Sequence, residues 1–149
     1  MKEDNTYRIN MVENHIRTLN VIDDNVLNTL KTVPRKNFVP EAYKSFSHVD
    51  IRIPLGHEQS MLLPSVEAKL LQAINIKKDE DVLIVGSGSG YLSTCASMFA
   101  NRVHSIDIIK NFIDISKKIT GKMTHKNMVF EHENVLDNLG LIKNYKVII

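Results

Sequence analysis

The chain has 149 residues, 43% of them hydrophobic and 24% charged, with a formal net charge of +2. That is one domain's worth of sequence with enough apolar residues for a core, and it excludes a disordered or fibrous chain. Nineteen basic residues against 17 acidic ones, dispersed along the chain, do not make the basic footprint that a nucleic-acid partner requires, and no apolar run approaches the roughly 18 residues that span a bilayer. The N-terminal stretch MKEDNTYRIN is polar and lacks a signal core, so the expected address is the cytoplasm, with neither nucleic acid nor membrane as a partner. The single cysteine, Cys95, stands among Leu92, Ala96 and Phe99 at helical spacing and reads as a small buried hydrophobe.

From Tyr7 to about Leu19, apolar residues recur at Ile9, Val12, Ile16 and Leu19, the stripe of a helix. A second helix is predicted to start at Asp23 or Asp24, with Val26, Leu27 and Leu30 facing inward, and Pro34 and Pro40 close this helical region. Val49, Ile51, Ile53 and Leu55 alternate with polar residues and Pro54, which predicts a short peripheral strand. Residues 56–64 fit neither period; the expectation there is a loop, suited to a lid beside a pocket or to an ordinary connection. The character of the chain changes near Pro64, which predicts a single domain made of a helical and lid region over 1–64 and a partial cofactor-binding core over 65–149.

After Pro64 helices and strands alternate. Ser65 is placed to cap a helix carrying Val66, Leu70, Leu71 and Ile74, and the strand Val82 to Val85 follows. A helix from Tyr91 to Phe99 leads to the strand Val103 to Asp107, and a helix with Ile109, Phe112, Ile115 and Ile119 is expected to stop at Gly121 as a C-cap. A strand from Met128 to His132, a helical turn from Val135 to Leu139 and a strand from Tyr145 to Ile149 complete the series. Right-handed crossovers then give an α/β fold with a parallel sheet, helices on both faces, and core strands in the order 3-2-1-4. Strand four is an edge whose Val147, Ile148 and Ile149 carry no charge, proline or bulge, and such edges pair with other strands. The expectation is that the parent sheet continues past Ile149, the chain being a natural truncation, a fragment, or a protomer that covers this edge with a partner in an oligomer.

Gly86, Ser87, Gly88, Ser89 and Gly90 follow the first of these core strands, and Asp107 ends the next one, 21 residues beyond Gly86. Glycines let backbone approach a ligand where a β-carbon would collide, the helix beginning near Gly90 presents unpaired N–H groups, and a carboxylate at the neighbouring strand tip can accept both hydroxyls of a ribose. The layout predicts a nucleoside site, the alternative being a turn that is glycine-rich for packing alone. Tyr91 stands where a dinucleotide pattern wants its third glycine, which turns the reading away from NAD. The six histidines, His57, His104 and His132 among them, fit no metal-ligand spacing, so no metal is expected.

The stretch MVENHIRTLNVIDDNVLNTLKTVPRKNFVPEAY, then IPLGHEQSMLLP, then DVLIVGSGSGYLS and VHSIDI, resembles the protein-L-isoaspartate (D-aspartate) O-methyltransferase family in order and spacing over nearly the whole chain. The resemblance implies a Rossmann-like class I methyltransferase fold whose seven-stranded sheet is incomplete in this chain. It also implies S-adenosylmethionine as methyl donor and isoaspartyl peptides or proteins as acceptors, in protein repair. An anionic carboxylate meeting an activated sulfonium methyl needs alignment and exclusion of water more than proton transfer, which fits the lack of an acid and base pair in the sequence.

Under this resemblance Gly86, Ser87, Gly88, Ser89 and Gly90 form the cofactor turn, Asp107 holds the ribose, and Asn134 stands where members carry an aspartate for the adenine amino group. Ile84 replaces an acid near the amino-acid end of the cofactor. In the lid, Glu58 replaces a glycine, Ser60 a threonine and Leu62 the serine that contacts substrate, leaving Ser60 as the nearest catalytic hydroxyl. Two readings follow: a methyltransferase with weak or altered acceptor specificity, or a catalytically silent S-adenosylmethionine-binding or structural interaction domain. The substituted lid and the apolar Ile84 are the points of departure from the family.

Overall fold

The computed structural model describes residues 2–124 and 126–149. The chain forms two compact units, one running up to Asn75 and the other Ile76–Ile149.

In the N-terminal unit, α1 (Lys2–Met11) runs on through a π-helical turn, Val12–Ile16, and a 3-10 turn, Arg17–Leu19. Asn20 ends the run in the left-handed region at φ 67. Val12 and Ile16 are fully buried, whereas Ile9 is exposed, so the helical stripe is core only in its second half. Helix α2 (Asp24–Thr32) starts where its cap predicts: the Asp23 carboxylate accepts from the Asn25 and Val26 N–H groups at 2.8 and 3.2 Å. Its Val26, Leu27 and Leu30 are buried, each contributing about 1.5 to 3 kcal/mol of transfer free energy.

The strand expected from Val49 starts later. Val49 and Ile51 are exposed and held by turns, with the Val49 N–H donating to the Phe46 carbonyl and the Ile51 N–H to the Val49 carbonyl, because alternation without a partner chain does not make a strand. Strand β1 is Ile53–Gly56, and it pairs antiparallel with β2, Gln59–Met61, placing Ile53 opposite Met61 and Pro54 opposite Ser60. Residues 56–61 are therefore the end of a hairpin rather than an irregular loop. Its two turn residues, His57 and Glu58, have φ of 52° and 57°, the pair of left-handed residues that matches strand twist. The usual asparagine and glycine of such a turn are missing, which is why the sequence hides it.

Helix α3 (Pro64–Ile74) belongs to the N-terminal unit, on the near side of the division at Asn75. Ser65 does not cap it. The helix starts after Leu63 with Pro64 in its first turn, and the Ser65 N–H and hydroxyl both donate to the Asp50 carboxylate at 2.8 Å, so the cap comes from 15 residues upstream. Pro64, Ser65, Glu67, Ala68 and Leu71 form the buried face, and Val66 points to solvent.

The C-terminal unit is built on a parallel sheet. Strand β3 (Asp81–Val85) lies between β4 (Arg102–Asp107) and β6 (Val147–Ile148), and β5 (Met128–His132) flanks β4, the order expected from the sequence. Helix α4 (Tyr91–Ser97) connects β3 to β4, and α5 (Lys110–Thr120) connects β4 to β5. Both lie over one face, where the Ser93 hydroxyl meets that of Ser105 at 2.8 Å and Ser116 converges on Gly90 and Phe130. The return from β5 to β6 reverses direction, so a right-handed connection crosses the other face. It does so through 3-10 turns at Val135–Asp137 and Leu141–Asn144, after which the Tyr145 hydroxyl reaches His104. Gly121 ends α5 without the left-handed conformation expected of a C-cap: its φ is −58°, and a β-carbon there would lie 2.9 Å from the Lys117 carbonyl oxygen. The inward face of α5 is Phe112, Ile113, Ser116 and Thr120, with Ile115 exposed.

Candidate functional site

The turn 86–90 leaves the tip of β3 with Gly86, Gly88 and Gly90 at φ 91°, 51° and 80°, a region that costs other residues about 1 to 2 kcal/mol each. The Gly86 and Ser87 N–H groups donate to the Ile106 carbonyl at 2.9 and 3.0 Å, tying the turn to β4, and the Gly90 N–H closes it on the Ser87 carbonyl at 2.8 Å. The glycines answer different needs. A β-carbon on Gly90 would sit 2.7 Å from Ser116 Oγ, so this glycine lets α4 pack on α5. A β-carbon on Gly86 would meet nothing within 4 Å. Packing alone explains Gly90 and leaves Gly86 facing open space.

Asp107, at the end of β4, is 6% exposed. Its Oδ2 accepts from the Gly88 N–H at 2.9 Å and the Ser87 hydroxyl at 3.3 Å, and its Oδ1 accepts from the Ile109 N–H at 2.9 Å. One buried carboxylate thus orders the glycine turn and the start of α5 together. Ser87 and Ser89 are both buried, and Ser89 Oγ accepts a long bond from the Tyr91 N–H at 3.4 Å. Asp107 stands opposite His132 in β5, and the Glu133 N–H donates to the Asp107 carbonyl at 3.1 Å, which puts Asn134 just beyond the same tip. Asn134 Oδ1 accepts from the Leu136 N–H at 3.1 Å, capping the following turn. The structure therefore gathers Gly86, Ser87, Gly88, Ser89, Gly90, Asp107 and Asn134 at the carboxyl ends of three parallel strands, where open α/β sheets bind ligands.

Other sequence candidates lie apart from this set. Ile84 is 2% exposed inside β3, opposite Ser105. Ser60 is half-buried in β2, and Leu62 follows that strand, both in the N-terminal unit. Cys95 is buried, as its spacing predicts. His132 Nε2 lies 3.1 Å from the Ile108 carbonyl oxygen, and His125 lies outside the described residues.

Sequence reasoning misses an ion pair in the N-terminal unit. Arg35, fully buried, meets the buried carboxylate of Glu67, and its Nη2 donates to the Leu62 carbonyl at 2.7 Å. Burial pushes the Glu67 carboxyl up to about 7, against the downward pull of Arg35. Nothing local marks this pair, because the residues lie 32 positions apart and a glutamate on a helix ordinarily reads as solvent-facing. Among the described residues no helix is long and apolar enough to cross a membrane.

Residues 6–137 match the family model described as Protein-L-isoaspartate(D-aspartate) O-methyltransferase. The Protein-L-isoaspartate O-methyltransferase of Opitutus terrae is 35% identical over 103 residues, covering 69% of this chain and 44% of that protein. A protein of Syntrophobacter fumaroxidans named Protein-L-isoaspartate O-methyltransferase 1 is 32% identical over 122 residues, covering 82% and 57%. The chain spans about half the length of the curated relatives it matches. A Plasmodium falciparum protein described as a protein-L-isoaspartate O-methyltransferase, crystallised with S-adenosyl-L-homocysteine, shares the fold at a TM-score of 0.80, with 24% identity over 95% of this chain and 71% of that one. With its motifs, its strand order and this match in agreement, the chain belongs to the protein-L-isoaspartate(D-aspartate) O-methyltransferase family.

Proposed function

We propose that this chain binds S-adenosylmethionine at the tips of β3, β4 and β5 and serves methyl transfer to the side-chain carboxylate of isoaspartyl residues in peptides and proteins, with weakened or altered acceptor specificity. The observation that carries the reading is the open space at Gly86 beside a buried, backbone-anchored Asp107, in a chain of this family. The relative crystallised with S-adenosyl-L-homocysteine supports the class of ligand. A single buried cysteine suits a reducing compartment, and the cytoplasm is the address this reading carries.

An ionised carboxylate offers about four acceptor positions, and Asp107 uses three of them within the protein. The remaining position, together with the long Ser87 contact, is what ribose hydroxyls take. Asn134 serves the adenine amino group, sharing Oδ1 with the Leu136 N–H. The donor supplies an activated methyl: a carboxylate oxygen forms the new C–O bond as the C–S bond breaks, the two opposite charges vanish together, and no proton moves. The residues of the chain then have to orient the partners and exclude water.

Ser60 is the hydroxyl the hairpin offers to the acceptor, and Leu62 offers none. A missing charge-assisted hydrogen bond costs about 1.5 to 3 kcal/mol, or about 10- to 150-fold in rate. Calorimetric titration with S-adenosylmethionine and S-adenosylhomocysteine is expected to show one binding event; absent heat and an unmoved melting temperature at millimolar ligand would refute the reading. Labelled-methyl transfer to an isoaspartyl peptide, with the aspartyl peptide as control, is expected to be slow and to rise at least about tenfold in Leu62→Ser. A second reading, a silent S-adenosylmethionine-binding domain, is favoured by the apolar Ile84. Ligand binding with no transfer in either the native chain or Leu62→Ser selects it.

A further inference from the structure

The face of the sheet opposite α4 and α5 carries a cluster that the nucleoside crevice does not use. The His104 side chain is 8% exposed, with Nδ1 2.7 Å from the Tyr145 hydroxyl and Nε2 2.8 Å from Glu131 Oε2. Glu133 follows Glu131 by two residues, one position past the end of β5. Ligand atoms of His104, Glu131 and Glu133 all lie within 4.8 Å of one another.

We propose that His104, Glu131 and Glu133 form a binding site for a divalent metal ion of the zinc class. One imidazole and two carboxylates are a nitrogen and oxygen set suited to zinc, and three protein ligands leave a fourth position to water. Zinc bonds of about 2.0 to 2.2 Å place tetrahedral ligands about 3.3 to 3.6 Å apart. The present spacing closes to that with a shift of about 1 Å, and Glu131, whose side chain is 54% exposed, has the freedom to make it.

Outer partners already orient two of the three ligands. Asn138 Nδ2 donates to Glu133 Oε1 at 2.8 Å. Nδ1 of His104 lies 2.7 Å from the Tyr145 hydroxyl, which can donate or accept: a metal taking the place of the proton between Nε2 and Glu131 leaves the ring proton on Nδ1, where that hydroxyl accepts it. A plain imidazole–carboxylate pair needs Glu131 alone; it accounts neither for the approach of Glu133 nor for its anchoring by Asn138.

Zinc chloride alone, titrated calorimetrically into the full chain in a non-chelating buffer, tests the site. One equivalent is expected to bind, with affinity falling at least about tenfold in Glu133→Gln, a variant at a partly exposed position whose fold is checked by circular dichroism. The His104 Nε2 resonance is expected to move on zinc addition in nitrogen-15 spectra. Absent binding, equal affinity in Glu133→Gln, or an unmoved His104 ring, as for zinc caught adventitiously by other histidines, overturns the proposal. The test is independent of methyl-donor binding, so it stands or falls separately from the proposed function.

Discussion

Three residues in the left-handed region face three different surroundings, and each makes a distinct prediction. Gly90→Ala adds a β-carbon against Ser116 as well as backbone strain, and about 3 kcal/mol of stability should be lost in chemical denaturation. Gly86→Ala meets only the strain, since its surroundings are open; stability should fall by about 1 to 2 kcal/mol, while calorimetric binding of S-adenosylhomocysteine falls further than that loss explains. Equal stability losses in the two variants would contradict the division of roles. Glu58 sits at φ 57° in the hairpin turn, so Glu58→Gly should raise stability by about 0.5 to 1 kcal/mol, the relief of strain less the entropy of a glycine.

At the scale of elements, α3 and its neighbours are governed by two carboxylates of opposite behaviour. For Asp50, burial raises the proton affinity, but the Ser65 N–H and hydroxyl and the His15 ring outweigh it and hold the carboxyl below its usual 3.8. Its contribution is present above that value and is lost as pH falls through the lowered one. Glu67 works in the other direction. Its carboxyl is pushed from 4.5 to about 7, so the folded chain holds this proton more tightly than the unfolded chain, and its contribution is complete below about 4.5 and lost as pH rises through about 7. Denaturation midpoints measured as pH rises from 4.5 to about 7, above the range in which Asp50 titrates, are expected to decline, and Glu67→Gln is expected to flatten that decline. A decline that persists unchanged in the variant would assign it elsewhere. The guanidinium of Arg35 stays charged throughout and keeps its bond to the Leu62 carbonyl on either side of the titration.

At the scale of the whole chain, β6 has β3 as its neighbour, and its other edge is unpaired among the described residues, with Ile148 exposed. Self-association through this edge predicts a sedimentation coefficient that rises with concentration and ceases to rise in Ile148→Lys, a charge that blocks edge pairing. A concentration-independent coefficient would reject it. The parallel core was readable because strand and helix patterns alternate after Pro64, with β3 a short apolar run leading into the glycine turn, and because chirality leaves one arrangement for such a series. The hairpin was not readable: His57 and Glu58 are residues that rarely take the left-handed conformation, and the pairing partner of β1 is only three residues long. The candidate crevice was legible almost residue by residue, since the glycines and Asp107 lie at strand tips whose positions the apolar runs dictate.

The sequence by itself determined the strand order, the placement of the glycine turn against Asp107, and the family, because these rest on local periodicity and on motifs of contiguous residues. Only the tertiary structure decided which glycine answers to packing and which to open space, that Asp50 caps a helix 15 residues away, and that Glu67 turns inward to Arg35. It also brought His104 to Glu131 across neighbouring strands, 27 residues apart. These are encounters between residues distant in the chain. Their partners are set by how elements stack, which no local pattern encodes.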